Sequence, residues 1–426
     1  MNTRGNQGIQ LNTITQRLLE EDWALVYQHA SLVRSLEIHS SYATTYSECD
    51  RRAVATITAC PPSRCLLPNL RSLRVAIVSG LHKGRHLDSF LSMLLSPTVI
   101  GDRVEDLSYD CSCVAHYKSE IHAAMLAETA VTRWSHLKSV NLDLERCNPS
   151  LLAMFSQIPT LQSLELGFRD VPATPDIMPA SLTPGFASLR TLGLHAVFCL
   201  DIAAVLRSWD FRALTRLSAS QVDCDHPDEL QEFFQAVHDC VAHDALRDLY
   251  VETTYADIAP LFFVHMKPLA VFRRLVKVRI DLANGLSLTD SEHALVAAWW
   301  PEAEFIDFVT ESYDDTRDPV IASLEALIHY ARYCPRLRHM RLPLLAHPPI
   351  PELPADMPSH AAGHPLTRLG VGYSRLEAEN VSDVARFLRN VFPQLHEVEY
   401  STYRGKWSWG DVNALLEQGH VKRSPM

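Results

Sequence analysis

The stretches PTLQSLEL (residues 159–166) and ASLRTLGL (residues 187–194) share one pattern, in which an apolar residue is followed three and five positions later by two more. In the first stretch these residues are Leu161, Leu164 and Leu166. The last two alternate with polar residues at a period of two, which indicates a short β-strand with one buried side. Each stretch therefore predicts one short strand.

The same pattern recurs along the whole chain. Its first positions are Val33, Leu70, Val104, Leu137, Leu161, Leu189, Leu214, Leu246, Leu275, Ala303, Leu337, Leu366 and Leu395. Neighbouring copies are 24 to 37 residues apart, with a mean of about 30. Leucine makes up 57 of the 426 residues, but abundance alone does not place thirteen copies at this spacing. A repeat of this length is typical of a solenoid with one strand and one helix in each turn.

Helices are predicted between the strands, because apolar residues there recur three and four positions apart. The predicted helical segments are 87–95, 119–130, 227–241 and 320–331. Helix-start signals lie at Pro149, Pro227, Thr289-Asp290 and Asp318-Pro319. The sequence therefore predicts an α/β leucine-rich-repeat solenoid, curved, with about 13 parallel strands on the concave side and helices on the convex side. A doubly wound α/β sheet is the alternative, but the chain has no glycine-rich phosphate loop.

The solenoid is expected to span 32–405, with a helical cap and linker at 1–31 and a C-terminal cap and tail at 406–426. Terminal repeats need such caps, because they would otherwise expose apolar faces. The N-terminal cap is predicted to place on one helical stripe Leu18, Leu19, Trp23, Val26 and Tyr27. The C-terminal cap is predicted to use Trp407, Trp409 and a short helix from Asp411.

Two proline-rich segments, 171–185 and 342–365, cannot form continuous helices, because proline lacks a backbone donor and fixes φ. We expect surface loops between repeats, with the sheet continuing beneath the second segment. Loops that contact a partner are the alternative interpretation. His347, His360 and His364 lie in the second segment and are expected to be solvated.

Charge and composition narrow the range of functions. The chain has 39 Lys and Arg against 50 Asp and Glu, a net charge of −11, which argues against nucleic acid or an anionic membrane as partner. No apolar stretch approaches the length of a transmembrane helix, and the polar start lacks the apolar core of a signal peptide. The ten cysteines include no CxxC pair. We therefore expect small, buried, unpaired cysteines in an intracellular protein, cytoplasmic or nuclear.

No constellation of residues predicts an enzyme. The sequence has neither a G-x-S-x-G nor an H-E-x-x-H motif. Asp223–His226 is expected to form a helix-capping turn, since consecutive side chains point in different directions and cannot converge on a metal. Cys111–His116 lacks the spacing of a zinc site. We expect no catalytic residue, no cofactor and no metal ion; a hydrolase or transferase with a loop-borne site is a less favoured alternative.

The polar strand positions predict the surface that a solenoid offers to a protein partner. Acidic residues dominate the early repeats, at Glu37, Asp106, Asp110, Asp143 and Glu165. Cations dominate later repeats, and acids return at Glu397 and Glu399. The candidate partner-binding residues are Tyr250, Lys277, Arg279, His339, Arg341, Arg368 and Tyr373.

The four cations among these candidates are expected within about 15 Å of one another, since parallel strands lie ~4.8 Å apart. Two outcomes stay open: nearby acids neutralise the cations, or the patch is open and binds an acidic segment. The acids are Asp281, Asp307 and Glu397. Tyr250 and Tyr373 flank an open patch as aromatic anchors. Reversal of both Arg279 and Arg341 to glutamate should then abolish partner capture with little change in melting temperature.

The linker DWALVYQHASLVRSLEI (residues 22–38) and the repeats after it resemble the leucine-rich-repeat region of fungal F-box-like proteins, particularly those of mushroom-forming fungi. The repeats that carry the resemblance are LPNLRSLRV, IPTLQSLEL, CPRLRHMRL and FPQLHEVEY. The resemblance covers about residues 30–405. It implies a non-enzymatic protein–protein interaction scaffold that recognises the substrates of a ubiquitin ligase.

In that family a helical F-box with an L-P-x-E-like start precedes the linker, and the residues before Asp22 do not match it. We therefore expect this sequence not to capture the adaptor that binds F-boxes. A leucine-rich adaptor or inhibitor unrelated to ubiquitin is the alternative function.

Overall fold

A computed structural model gives the structure of the chain. The residues that it describes are 20–40, 57–58, 61–77, 85–110, 116–144, 149–168, 185–195, 198–209, 211–224, 226–253, 260–282, 285–308, 322–358, 361, 363–401 and 408–421. The chain divides into two compact units, Met1–Ile177 and Met178–Met426.

The first unit alternates strands and helices. Its strands are β1 (Ser35–Ser40), β2 (Ser72–Ile77), β3 (Asp106–Asp110), β4 (Ser139–Leu144) and β5 (Ser163–Phe168). Its helices are α1 (Glu20–Ala30), α2 (Arg85–Leu94), α3 (His116–Arg133) and α4 (Pro149–Ser156). Each strand pairs in parallel with the next along the chain. Parallel neighbours require a crossover, which the intervening segments supply.

The second unit continues the alternation. Its strands are β6 (Thr191–His195), β7 (Arg216–Val222), β8 (Asp248–Thr253), β9 (Leu261–Phe262), β10 (Lys277–Asp281), β11 (Leu286–Ser287), β12 (Phe305–Asp307), β13 (His339–Arg341), β14 (Arg368–Gly372) and β15 (Glu397–Tyr400). Its helices are α5 (Cys199–Ser208), α6 (Pro227–Cys240), α7 (Phe263–Met266), α8 (Asp290–Trp299), α9 (Glu325–Tyr333), α10 (Val381–Val391) and α11 (Trp409–Val421). Short 3-10 helices span Lys267–Val271 and Ala378–Asn380. The main sheet runs in the order β6-β7-β8-β10-β12-β13-β14-β15, while β9 pairs with β11 separately.

Every predicted repeat contains a strand in the described part of the chain, thirteen in all, and each strand begins two residues after the first apolar position. The strands form at these positions because the apolar residues of the pattern are buried, as the side chains of Leu161, Leu164 and Leu166 show. Burial of each such leucine stabilises the fold by ~1.5–3 kcal/mol. The leucine-rich-repeat α/β solenoid class is therefore confirmed, and the doubly wound alternative is wrong.

The helix-start signals are confirmed at three positions. Helices begin at Pro149, Pro227 and Asp290. Before Asp290, the Thr289 hydroxyl accepts from the Glu292 backbone N–H, and the Glu292 carboxylate accepts from the Thr289 backbone N–H. This capping box satisfies two donors that a helix start leaves unpaired. The helix predicted over 320–331 instead begins at Glu325, and Asp318-Pro319 lies outside the described residues.

The second proline-rich segment runs without helix from 342 to 358. Strands β13 and β14 remain parallel neighbours on either side of it, so the sheet continues as predicted. His347 is exposed as predicted, and His360 lies outside the described residues. The expectation that His364 is solvated is wrong, because its buried ring bonds to the Cys334 carbonyl at 3.0 Å and accepts from the Leu366 N–H. Most of the first proline-rich segment lies outside the described residues.

The cysteines depart from expectation at one place. Cys199, the first residue of α5, is joined to Cys224 in a disulfide, although no disulfide was expected. The backbone already brings these residues together, since the Cys199 N–H donates to the Asp223 carbonyl at 3.0 Å. Asp223 and Cys224 follow β7, and His226 occupies the N-cap position of α6, where its side chain makes no capping hydrogen bond. Cys111 and Cys113 lie outside the described residues.

The caps follow the prediction in part. Trp23 of α1 is buried, but Val26 is 41% exposed, so it does not belong to the predicted stripe. Helix α11 begins at Trp409 rather than Asp411, and the buried Trp409 indole donates to the Ser374 carbonyl at 2.8 Å. Leu18, Leu19 and Trp407 lie outside the described residues.

Asn413 of α11 covers the outer edge of β15. Its amide oxygen accepts from the Val398 N–H at 2.7 Å, and its amide nitrogen donates to the Val398 carbonyl at 2.8 Å. One side chain therefore supplies the two hydrogen bonds that another strand would supply. Edge strands need such protection, because their unpaired backbone groups template further pairing.

Candidate interaction surface on the strand face

The polar strand positions of the second unit form two rows, which together we call the strand face. The first row places side by side Asp248, Lys277, Phe305, His339, Arg368 and Glu397. The second row places side by side Tyr250, Arg279, Asp307, Arg341, Gly370 and Glu399. Strand register produces these rows, because residues that match across a parallel sheet project on the same side.

Asp307 is the centre of the second row. It is 1% exposed, and its Oδ2 accepts from Arg341 Nη1 at 2.9 Å and lies 3.5 Å from Arg279 Nε. Arg279 also donates through Nη2 to Asp281 Oδ2 at 2.9 Å. The carboxylate is buried because the two arginines on neighbouring strands cover it. A buried carboxylate of this kind is stable only when it is paired.

Tyr250 and Arg279 pack against each other. The guanidinium carbon of Arg279 lies 5.1 Å from the centre of the Tyr250 ring, a cation–π distance. Burial and the hydrogen bond from the Tyr250 hydroxyl to Glu252 (2.6 Å) raise the pKa of Tyr250 far above its usual range. Burial opposes the charged form of Arg279, but Asp281 and Asp307 outweigh it and raise the pKa of the guanidinium. Both side chains keep one protonation state at neutral pH.

Gly370 gives Arg341 its room. A Cβ atom at position 370 would lie 2.5 Å from Arg341 Cγ, closer than any two such atoms approach. The aliphatic stem of Arg341 therefore lies over the glycine backbone while its guanidinium reaches Asp307. Glycine at this position determines the direction of the arginine.

The first row contains a cation, Lys277, that has no partner among the described residues. Lys277 is exposed and makes no hydrogen bond or ion pair within the described part of the chain. Next to it, the rings of Phe305 and His339 meet edge to face with centres 6.3 Å apart, and both are half-buried. Beyond them, Arg368 Nε lies 2.9 Å from Glu397 Oε2 in an exposed pair.

The structure brings the candidate residues of the second unit together. Lys277 and Arg279 lie on β10, Arg341 on β13 and Arg368 on β14, so the four cations fall within a run of four neighbouring strands that spans about 14 Å. Of the two open outcomes, internal neutralisation holds for the three arginines, which pair with the three predicted acids. Because Arg279 and Arg341 share Asp307, the expectation of an unchanged melting temperature after their reversal no longer follows.

The three remaining candidate residues are Tyr250, His339 and Tyr373, and they do not all lie in the two rows. Tyr250 and His339 belong to the rows, whereas Tyr373 lies just beyond β14 and is half-buried. Phe305 and Gly370 were missed by sequence reasoning. Phe305 could have been found, because it occupies the polar position of the weak repeat at Ala303. Nothing in the sequence marks Gly370 as a residue that makes room for Arg341.

The strand face of the first unit is built differently. Its strands present serine at Ser35, Ser72, Ser139 and Ser163. Its acids include Glu37, which pairs with Arg74 at 3.2 Å, and Glu165, which accepts from the Asn141 amide at 3.0 Å. Burial and the charge of Glu105 raise the pKa of Asp106. Of the acids predicted for the early repeats, Glu37, Asp106 and Glu165 therefore lie on β1, β3 and β5.

The part of the chain that the structure describes lacks two other kinds of site. No three metal-ligating side chains converge there. None of the helices there has both the length and the apolar character needed to cross a membrane.

The chain is similar to known proteins at the level of solved structures. No family model matches the chain, and no curated protein matches it. Among solved structures, the crystal structure of the yeast Rad7 and Elc1 complex is similar, with 12% identity and a TM-score of 0.43. The similarity covers 91% of this chain and 86% of that chain. The fold class follows from the strand order, register and burial described above.

Proposed function

We propose that this chain is a non-enzymatic protein–protein interaction scaffold, and that the strand face of the second unit binds its partner. The observation that carries the proposal is the pair of arginines, Arg279 and Arg341, fixed by the buried Asp307 beside half-buried aromatic rings. Arginine and aromatic residues contribute most to binding energy at protein interfaces.

Fixing these side chains in advance favours binding. A free arginine loses rotamer freedom when a partner immobilises it, at a cost of about 0.5–1.5 kcal/mol for each such side chain. Arg279 is held by Asp281, Asp307 and the Tyr250 ring before any partner arrives. A strand also positions side chains more rigidly than a loop does.

The finer proposal follows from the sequence resemblance to F-box-like proteins. We propose that the bound partner is a substrate of a ubiquitin ligase and that the chain acts inside the cell, in the cytoplasm or nucleus. In the alternative function, the chain is an adaptor or inhibitor unrelated to ubiquitin. It then binds its partner through the same surface, but the partner is not ubiquitylated.

Quantitative affinity capture from cells tests the proposal. The tagged wild-type chain is compared with the double variant Phe305→Ala/His339→Ala and with Leu200→Ala, whose exposed side chain lies on a helix. We expect a set of proteins that the wild type and Leu200→Ala retain and the double variant loses. Identical protein profiles for all three chains would overturn the proposal.

Ubiquitylation of the retained proteins separates the two functions. In the ligase case, expression of the wild-type chain raises their ubiquitylation, and the double variant does not. An unchanged ubiquitylation with intact capture instead establishes an adaptor or inhibitor.

A further inference from the structure

We propose that the first row of the strand face binds an extended partner segment with the pattern acid–x–apolar–x–acid. This inference rests on the proposed function and specifies the partner's chemistry. The row offers, in order, the cation Lys277, the aromatic pair Phe305 and His339, and the cation Arg368. Charge complementarity at both ends and apolar contact between them define the segment.

The cations of the strand face differ in their availability. Arg279 and Arg341 are each about 30% exposed and are held by buried aspartates, so each presents less of its guanidinium to a partner than the more exposed Arg368 does. Lys277 is exposed and makes no ion pair within the described residues. A partner carboxylate therefore gains its contact with Lys277 without breaking another.

Arg368 is available for a different reason. Its pair with Glu397 is exposed on both sides, with side-chain exposures of 52% and 44%. Exposed ion pairs contribute little, about 0–1 kcal/mol, because water screens them. The guanidinium has five N–H donors, so it accommodates a second carboxylate while it keeps the first.

The middle of the row is suited to an apolar side chain. Phe305 and His339 meet edge to face, and both are half-buried, so together they expose a small aromatic surface between the two cations. Partner contact with such a surface removes apolar area from water at about 25 cal/mol per Å². A basic partner residue, in contrast, meets Lys277 at one end and Arg368 at the other.

The spacing of the row fixes the spacing of the pattern. Neighbouring parallel strands lie ~4.8 Å apart, which places the Phe305–His339 pair about 7 Å and Arg368 about 14 Å from Lys277. In an extended segment, side chains on one side recur every two residues, at ~6.7 Å and ~13.4 Å. An acid over Lys277 thus puts residue i+2 over the aromatic pair and residue i+4 over Arg368.

Selection from a random twelve-residue peptide library displayed on phage tests this pattern. The full-length chain is the target, and selected peptides are synthesised for fluorescence-anisotropy titration. We expect enrichment of acid–x–apolar–x–acid peptides. Lys277→Glu and Arg368→Glu should each weaken binding by about fivefold or more, consistent with the loss of an exposed ion pair and added repulsion. Phe305→Ala should weaken it as well.

The matched control is Arg74→Glu, which reverses a strand-face arginine of the first unit that is also in an exposed pair. It should leave peptide binding unchanged, and the melting temperature of each variant verifies that it is folded. Enriched peptides that bind the row without acids at this spacing, or that are basic, overturn the pattern but leave the scaffold function intact. Failure to enrich any peptide sensitive to Lys277→Glu also overturns it, whereas the scaffold function fails only if the capture profiles are identical.

Discussion

In the first unit, strand-face carboxylates such as Glu37 lie in exposed pairs, whereas in the second unit Asp307 is almost completely buried and binds two arginines. Both units use the same apolar positions and the same parallel register. The repeat therefore constrains the side of the strands that faces the helices and leaves the opposite side free to vary. In the second unit that freedom has produced a preorganised ionic and aromatic surface.

The largest difference between the units is expected in how much the free energy of unfolding falls when one strand-face carboxylate is removed. Asp307→Ala leaves Arg279 and Arg341 without their shared acceptor, and we expect a loss of about 3–5 kcal/mol in the free energy of unfolding. Urea denaturation measures it. The matched variant Glu37→Ala should cost less than about 1 kcal/mol, because its pair with Arg74 is exposed. Equal losses for both variants would remove the distinction between the two faces.

A buried histidine–tyrosine pair occurs in each unit and sharpens the comparison. The Tyr109 hydroxyl lies 3.0 Å from His122 Nδ1 in the first, and the Tyr330 hydroxyl lies 3.0 Å from His293 Nδ1 in the second. Burial lowers the pKa of His293 to about 4, although nearby Asp290 opposes this shift. His293 is therefore neutral in the folded chain at pH values where it binds a proton in the unfolded chain.

This difference in proton binding predicts a pH dependence. Because the folded pKa lies below the unfolded value of about 6.5, stability is complete above pH 6.5 and falls as the pH drops toward 4. The expected loss is about 3 kcal/mol over this range. Urea denaturation of the wild type and His293→Gln across these pH values measures it. His293→Gln should lack this pH-dependent loss of stability. Parallel curves of stability against pH for the two proteins would contradict the assignment of the loss to His293.

The end of the second unit offers a smaller effect. Asn413→Ala removes both hydrogen bonds to the edge backbone of β15, and we expect a loss of about 1–2 kcal/mol. Asn413→Asp keeps an acceptor for the Val398 N–H but turns a second carboxylate oxygen toward the Val398 carbonyl, so its loss should combine one missing bond with repulsion between the two oxygens. Hydrogen exchange at the Val398 amide reports the site directly. Protection there that survives Asn413→Ala would show that other contacts cover this edge.

The smallest effect is expected where the two units are most alike. Arg74 and Arg368 both lie in exposed ion pairs, at 3.2 Å and 2.9 Å. Replacement of either by alanine should change the free energy of unfolding by less than about 1 kcal/mol. Thermal denaturation of both variants measures this. A large loss for Arg368→Ala alone would make it part of the ionic network around Asp307 and not an accessible cation.

Much of the strand face could be predicted, and the reason is local. Lys277, Arg279, Arg341 and Arg368 were identified because each follows an apolar repeat position by a fixed number of residues. The failures involve pairs that are distant in sequence. Asp307 is buried only because arginines from two neighbouring strands cover it. The spacing of residues along the sequence does not show that Asp307 lies within 3.5 Å of both arginines.

His364 and Cys199 fail for the same reason. His364 lies in a proline-rich segment that looks exposed, but its ring reaches the carbonyl of Cys334, thirty residues earlier. Cys199 meets Cys224 because a strand end and a helix start adjoin in neighbouring repeats. Composition and spacing suggested no pairing for either residue.

The sequence by itself determined the α/β repeat, the start of each of the thirteen repeat strands and the helix starts at Pro149, Pro227 and Asp290, because apolar periodicity and capping act over a few residues. Only the tertiary structure decided which side chains of different repeats meet: Asp307 with its two arginines, Arg341 over Gly370, and Asn413 against the last strand. These contacts depend on register and packing between residues that lie 15 to 34 positions apart in the chain. The proposed partner surface therefore depends on contacts between repeats, although Lys277, Arg279, Arg341 and Arg368 occupy predictable repeat positions.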